Sequence, residues 1–192
     1  MAHSHYWLLV CCCWLALPVY AGSSPYSFSL NTGFSRIDNS ASTNEAWVTQ
    51  FGYNYQFSPF IGLDLGYSGM IGNGAEMLNI QRQKIDVKVE GFYFGAFMEQ
   101  PINNVTTLYA RGGVARMKVK ERYEVGSIED NQQFSGTHPY LGIGTKVQSS
   151  LDKSLALTME LSYQTLEQDY SSLSFTVGGQ IVVFNQHECD IF

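Results

Sequence analysis

The sequence predicts an all-β protein, an eight-stranded antiparallel transmembrane β-barrel laid out as an up-and-down meander. Three observations predict it. After residue 25, apolar and polar residues alternate in about eight stretches of roughly 10–14 residues, a period of two that belongs to strands and not to helices. The connectors alternate too: Asp38–Glu45, Gly72–Lys84, Lys120–Gly136 and Glu167–Tyr170 are roomy, whereas Ser58-Pro59, Gln100–Val105 and Ser150–Lys153 are tight. Membrane barrels show this order because one rim carries short turns and the other longer loops. Finally, aromatic residues make up 14 % of the chain while mean hydropathy is only −0.09, as expected when each strand has one apolar and one polar face.

The chain opens on an apolar run, Tyr6–Val19, followed by Val19-Tyr20-Ala21 with small residues where a signal peptidase reads. The run is short of the roughly 20 apolar residues a spanning helix needs. It departs from an export signal in one respect, since the first Lys or Arg is Arg36. Cleavage after Ala21 is expected, giving a signal over 1–21, a barrel over 22–184 and a short tail over 185–192.

The strands follow in order. The first, Tyr26–Ile37, places Tyr26, Phe28, Leu30 and Phe34 on one face. The second, Ala46–Phe57, sets Trp47, Phe51, Tyr53, Tyr55 and Phe57 against Val48, Gln50, Gly52 and Asn54. The third, Phe60–Ile71, sets Ile61, Leu63, Leu65 and Tyr67 against Gly62, Asp64, Gly66 and Ser68. The fourth, Ile85–Met98, sets Ile85, Val87, Val89 and Tyr93 against Asp86, Lys88 and Glu90. The fifth, Thr106–Val119, sets Leu108, Ala110 and Val114 against Tyr109, Arg111 and Gly113. The sixth, Pro139–Gln148, sets Leu141, Ile143 and Val147 against Gly142, Gly144 and Lys146. The seventh, Ser154–Leu166, sets Leu155, Leu157, Met159 and Leu161 against Thr158, Glu160 and Ser162. The eighth, Ser172–Phe184, sets Phe175, Val177, Ile181 and Val183 against Ser174, Thr176 and Gln180. Over Ala115–Val125 the alternation shifts phase near Arg116, which fits a strand leaving the membrane, a bulge or a short helix.

A soluble barrel would show the same alternation with its apolar face inward. Mid-strand charges favour the membrane form. Asp64, Lys88, Glu90, Arg111, Lys146 and Glu160 are expected to share the lumen, because Arg or Lys at the lipid midplane would cost roughly 2–4 kcal/mol each. Glycines beside them, such as Gly52, Gly66, Gly142 and Gly144, leave room for long side chains. Aromatics at strand ends would mark the interfaces: Trp47, Tyr67, Tyr163 and Tyr170 at the outer one, and Tyr26, Phe57, Phe60, Phe97 and Phe184 at the inner one.

The net charge of −6 argues against nucleic acid, which needs a basic surface. Of four cysteines, Cys11, Cys12 and Cys13 lie in the signal, so only Cys189 would remain and no intrachain disulfide could form.

Phe175-Thr-Val-Gly-Gly-Gln-Ile-Val-Val-Phe184 resembles the C-terminal signal that barrel-assembly machinery reads. Phe51-Gly-Tyr-Asn-Tyr-Gln-Phe57, Gly62-Leu-Asp-Leu-Gly-Tyr67 and Tyr140-Leu-Gly-Ile-Gly-Thr145 are similar to strand ends of the OmpA/OmpX-like small outer-membrane β-barrel family. The resemblance covers Pro25–Phe184 and implies an outer-membrane location, with lipid, lipopolysaccharide and the assembly machinery as partners. Phe184 is out of phase with Ile181 and Val183, and a tail follows it.

No catalytic, cofactor or metal site is legible. After signal removal only His138 and His187 remain. Barrel lipid A deacylases place a Ser two residues after a His, but Tyr140 stands there. Glu129-Asp130 and Glu121/Glu124 read as loop charges. The expectation is a non-enzymatic barrel with a plugged polar lumen, acting structurally or contacting a host or cell-surface ligand through Gly72–Lys84 and Lys120–Gly136. A narrow pore is the alternative, and a lipid A-modifying enzyme a further one.

Overall fold

Eight antiparallel strands follow one another: β1 (Tyr26–Asn39), β2 (Ser42–Gln56), β3 (Ile61–Gly72), β4 (Lys84–Pro101), β5 (Thr106–Val125), β6 (Ile128–Gln148), β7 (Leu155–Thr165) and β8 (Ser171–Val183). Each pairs with the next, and β1 closes on β8 from Tyr26↔Val183 to Asp38↔Ser171. The protein is thus a closed meander barrel. Closure matters because a bilayer offers no water to satisfy a free strand edge. The structure, a computed structural model, describes residues 26–39, 42–72, 84–125, 128–149, 154–167 and 169–183. The signal segment, the connector 73–83, Phe184, His187 and Cys189 lie outside the described residues, as do the side chains of Asn39, Ser42, 84–86, 121–125 and 128–131.

The tight rim is built from short polar turns. Ser58 and Ile61 exchange backbone hydrogen bonds of 3.1 and 3.3 Å. Between β4 and β5 the Asn103 side-chain oxygen accepts from the amides of Val105 (3.0 Å) and Thr106 (2.8 Å), the local bond that favours Asn in turns. At the opposite rim, Asp169 carries φ 61° in the β7–β8 turn.

Two roomy connectors turn out to be strand. The β1–β2 ladder continues to Asn39↔Ser42, and the β5–β6 ladder to Val125↔Ile128. The expected loop Lys120–Gly136 is therefore a hairpin, and the sixth strand starts at Ile128 instead of Pro139. The β6–β7 ladder begins only at Tyr140↔Gln164, so β4, β5 and the first half of β6 rise as a three-stranded flap. Polar composition disguised it: a ribbon above the membrane meets water, not lipid.

Outward residues form an apolar belt. It includes Phe28, Leu30 and Phe34 on β1, Phe92, Phe94 and Met98 on β4, Leu108 and Val114 on β5, and Leu141, Ile143 and Val147 on β6, all at least 40 % exposed. On a closed barrel, an outward apolar band of this kind is the lipid-facing surface of a membrane-spanning sheet. Its upper margin carries aromatic pairs, with Phe34–Trp47 centroids 4.9 Å apart and Tyr67–Phe92 5.2 Å apart, both edge-on. Tyr163 is exposed at the same margin of β7, and Phe57 lies exposed and Phe60 half-buried at the tight rim. Two aromatics expected at the interfaces, Phe97 and Tyr170, instead point into the barrel, 5 % and 6 % exposed.

The interior changes character with height. Nearer the tight rim it is polar, with Asn31, Asp64, Arg111, Thr158, Glu160 and Gln180 buried. Nearer the loop rim an apolar cluster of Ile37, Ala46, Val48, Met70, Val87, Val89, Ala115, Met117, Val119, Leu166 and Tyr170 packs beside buried Ser35, Asn44, Gln164, Ser172 and Ser174. The outer surface inverts at the same height: on β5, exposed Val114 gives way to exposed Arg116 and Lys118 while Ala115 and Met117 face inward. The backbone alternation is unbroken there, so the phase shift near Arg116 is a strand leaving the membrane and neither a bulge nor a helix.

Candidate functional site

The lower interior is organised by Arg111. Its Nη1 donates to Asp64 Oδ2 at 3.2 Å and its Nη2 to Glu160 Oε1 at 2.6 Å and Gln50 Oε1 at 2.8 Å. Tyr140 donates to Asp64 at 2.9 Å, and Tyr109 to Glu160 at 3.1 Å. The guanidinium also lies over the Tyr93 ring, 4.9 Å from its centroid, a cation–π arrangement. Glycines create the space. A Cβ on Gly142 would stand 3.2 Å from the Glu160 carboxyl carbon, one on Gly52 2.9 Å from the Tyr93 hydroxyl, and one on Gly95 2.7 Å from the Tyr140 hydroxyl.

Lys146 does not join this cluster. It pairs with Glu99 at 2.7 Å lower in the barrel, a partner that sequence reasoning missed. Glu99 sits near the end of β4, two residues before Pro101, where inward and outward positions cannot be told apart without the register. The aromatic hydroxyls of Tyr93, Tyr109 and Tyr140 were also missed as lumen groups, although Tyr109 falls on the polar face of its strand.

Lys88 and Glu90 are outside the barrel, which corrects their expected place in the lumen. On β4 the inward positions above the belt are Val87 and Val89, 2 % and 0 % exposed. Lys88 and Glu90 alternate with them and face outward, with Lys88 at 2.9 Å and Lys120 at 2.7 Å from the Glu90 carboxylate. The physical reason is height. Below Phe92 the outer face must be apolar, whereas above it water solvates charge and the apolar set turns inward.

Two small cavities flank Arg111. The lower, about 30 Å³, is lined by Asn31, Asp64, Glu99, Tyr109, Glu160 and others; the upper, about 20 Å³, by Gln50, Ser68, Tyr140, Gln164 and Ser172 among others. Each has room for about one or two waters. Arg111 lines both and stands between them, and the apolar core lies above the upper one.

The outer rim holds two further ionic groups. His138 Nε2 lies 2.9 Å from Glu167 Oε2, and no hydroxyl among the described residues bonds to that imidazole. Asp38 accepts from Thr43 at 2.6 Å and from Arg36 at 2.9 Å, and these two bonds, Thr43 first, hold its carboxyl below the usual range. No group of three or more His, Cys, Asp or Glu placed to hold a metal occurs among the described residues.

A closed eight-stranded barrel with a lipid-facing belt, an ion-paired lower interior and strands rising past one face defines a small outer-membrane barrel. The model of the outer membrane protein beta-barrel domain matches residues 8–180, and the chain belongs to that family. It is a protein of the cell outer membrane. Among solved structures, Neisserial surface protein A (NspA) superposes with a TM-score of 0.63 at 8 % identity, covering 84 % of this chain and 99 % of that one. Ail, the attachment invasion locus protein of Yersinia pestis, gives 0.58 at 17 %, covering 83 % and 99 %. Ail in complex with the heparin analogue sucrose octasulfate gives 0.51 at 15 %, covering 81 % and 97 %. At these identities the likeness is one of fold. No curated protein matches the sequence.

Proposed function

We propose that this protein is a closed, non-enzymatic barrel that displays a contact surface above the outer membrane. The carrying observation is the interior: Arg111, Asp64 and Glu160 occupy the lower lumen, and an apolar cluster packed beside buried Ser35, Asn44, Gln164, Ser172 and Ser174 occupies the part above it. Eight strands leave an interior that side chains can fill. A barrel so filled has no use for its lumen in transport, and the elements left to meet a partner are those above the belt, chiefly the β4–β6 flap. An attachment role, as the name of Ail states for that protein, fits such a surface. In this reading residues 1–21 direct export and are removed, 22–184 form the barrel, and the assembly machinery engages the end of β8.

The test has two arms. Planar-bilayer recording of the refolded full chain should show no stepwise conductance. Bacteria displaying the protein should bind immobilised host matrix or partner cells, and shortening the hairpin 122–131 should remove that binding while heat-modifiable gel migration persists. Stable conductance steps would favour the narrow pore. Unchanged binding by the shortened, folded variant would move the contact surface elsewhere.

A further inference from the structure

The protein carries a net charge of −6, yet one part of its outer wall is strongly basic. On β4 and β5, above the belt, the outward described side chains are Lys88, Glu90, Arg116, Lys118 and Lys120: four cations and one carboxylate. The ladder sets Lys88 beside Lys120 and Glu90 beside Lys118. Glu90 bonds to both Lys88 and Lys120. Arg116 and Lys118 are exposed and have no acidic partner among the described residues. The adjoining strand adds no opposing charge: Arg116, Lys118 and Lys120 pair in register with Thr137, Ser135 and Gln133, whose side chains are exposed and uncharged.

Height decides what this wall meets. Arg116 pairs with Phe92, which is 70 % exposed, and follows Val114 by one outward step, about 6.6 Å along the strand. Its guanidinium therefore stands at the level where acyl chains end and headgroups begin. Lys118 and Lys120 follow at the same interval into the headgroup layer. A guanidinium grips phosphate with two parallel bonds and ammonium groups add point charge, while the hydroxyls of Ser135 and Thr137 can donate to the same oxygens. A soluble polyanion would be better served by cations at the tip of the flap than at its base.

We propose that Arg116, Lys118 and Lys120, with Lys88, form a binding wall for the phosphate groups of outer-leaflet glycolipid. The proposal rests on the reading of the β4–β6 flap as lying above the outer leaflet. It gives the base of that flap a lipid-ordering role separate from any partner at its tip.

The experiment is native mass spectrometry of the refolded full chain in detergent, titrated with diphosphoryl lipid A or with the same glycolipid stripped of phosphate. The wild type should prefer the phosphorylated form. R116Q/K118Q/K120Q should bind it roughly 100-fold more weakly, about a factor of five for each cation near an anionic surface. The charge-preserving R116K/K118R/K120R should stay within a few-fold of wild type, and the dephosphorylated glycolipid should not distinguish the variants. Equal wild-type affinity for the two glycolipids overturns the proposal, and so does an unchanged affinity in the neutralised variant. If that variant loses its heat-modifiable migration, the comparison of the two glycolipids on the wild type decides alone. Retention on heparin lost on neutralisation, with no phosphate effect on glycolipid binding, would reassign the wall to sulfated polysaccharide and overturn the lipid proposal. Conductance and display assays are independent of these outcomes, so failure here leaves the closed-barrel reading standing.

Discussion

Arg111 on β5 and Glu160 on β7 meet across β6 over Gly142, with Nη2 2.6 Å from Oε1. The register makes this contact. Gly142 is the partner of both Arg111 and Ser162, and the absence of a side chain there lets the guanidinium reach two strands away. A buried carboxylate pair around one cation is then held by Tyr109, Tyr140 and Gln50.

Removing that cation leaves the buried Asp64 and Glu160 carboxylates without their counter-charge. Arg111→Ala should lower the free energy of unfolding by about 3–5 kcal/mol, measured by urea titration in lipid vesicles. Adding Glu160→Gln to it should restore part of the loss, because one stranded charge disappears. Gly142→Val should cost about 1–3 kcal/mol through overpacking. An unshifted midpoint for Arg111→Ala would show that the cluster contributes nothing.

Neighbours Met117 and Lys118 face opposite ways above the belt, Met117 with 2 % of its surface exposed. Met117→Ala should therefore cost about 2–5 kcal/mol. Lys118→Ala should stay within about 0.5 kcal/mol. Hydrogen exchange in β4 and β5 should accelerate only for the first. The reverse order would mean that the upper strand faces are inverted relative to the structure.

Glu90 sets a pH limit on the outer wall. Its carboxyl is held down at about 2, first by the Lys120 hydrogen bond and then by that from Lys88, against an ordinary 4.5. A folded value below the unfolded one contributes stability that is complete above the ordinary value and fades as pH falls through about 2. The contribution is small because the site is partly solvated. In Lys120→Met the Glu90 carboxyl resonance should titrate at a higher pH. An identical titration curve would show that the bond to Lys120 does not form in solution.

The β7–β8 turn depends on a left-handed residue. Asp169 has φ 61°, and the turn is closed by Leu166 N donating to Tyr170 O at 2.7 Å. Asp tolerates this region through local hydrogen bonding, whereas a β-branched side chain does not. Asp169→Gly should leave the unfolding midpoint equal or raise it slightly, and Asp169→Val should cost about 1–2 kcal/mol. A loss on going to Gly would mean that the aspartate side chain, not the backbone angle, supports the turn.

The strands, their order and their membrane destination were legible because a period of two is local. Trp47–Phe57 and Leu155–Tyr163 announce a lipid-facing stripe without reference to any other strand. The upper flap was less so. On β5 the change of phase at Arg116 was visible. On β4 the sequence shows Ile85, Val87, Val89 and Tyr93 as one apolar face, which sends Lys88 and Glu90 to the lumen; the structure turns Val87, Val89 and Tyr93 inward and makes Phe92 and Phe94 the lipid-facing residues. The polar ribbon 120–136 reads as a loop in the sequence for the same reason: outside lipid, a strand has no need to look apolar.

By itself the sequence determined which residues alternate, and with them the eight-stranded, lipid-exposed architecture, since those follow from backbone geometry and the cost of charge in hydrocarbon. Only the tertiary structure decided which side of each strand is the inside at each height, and who meets whom across the lumen. Alternation is symmetric between two faces until the position of the membrane breaks the tie. Contacts such as Arg111 with Glu160, or Lys146 with Glu99, depend on register summed across several strands, which no single strand encodes.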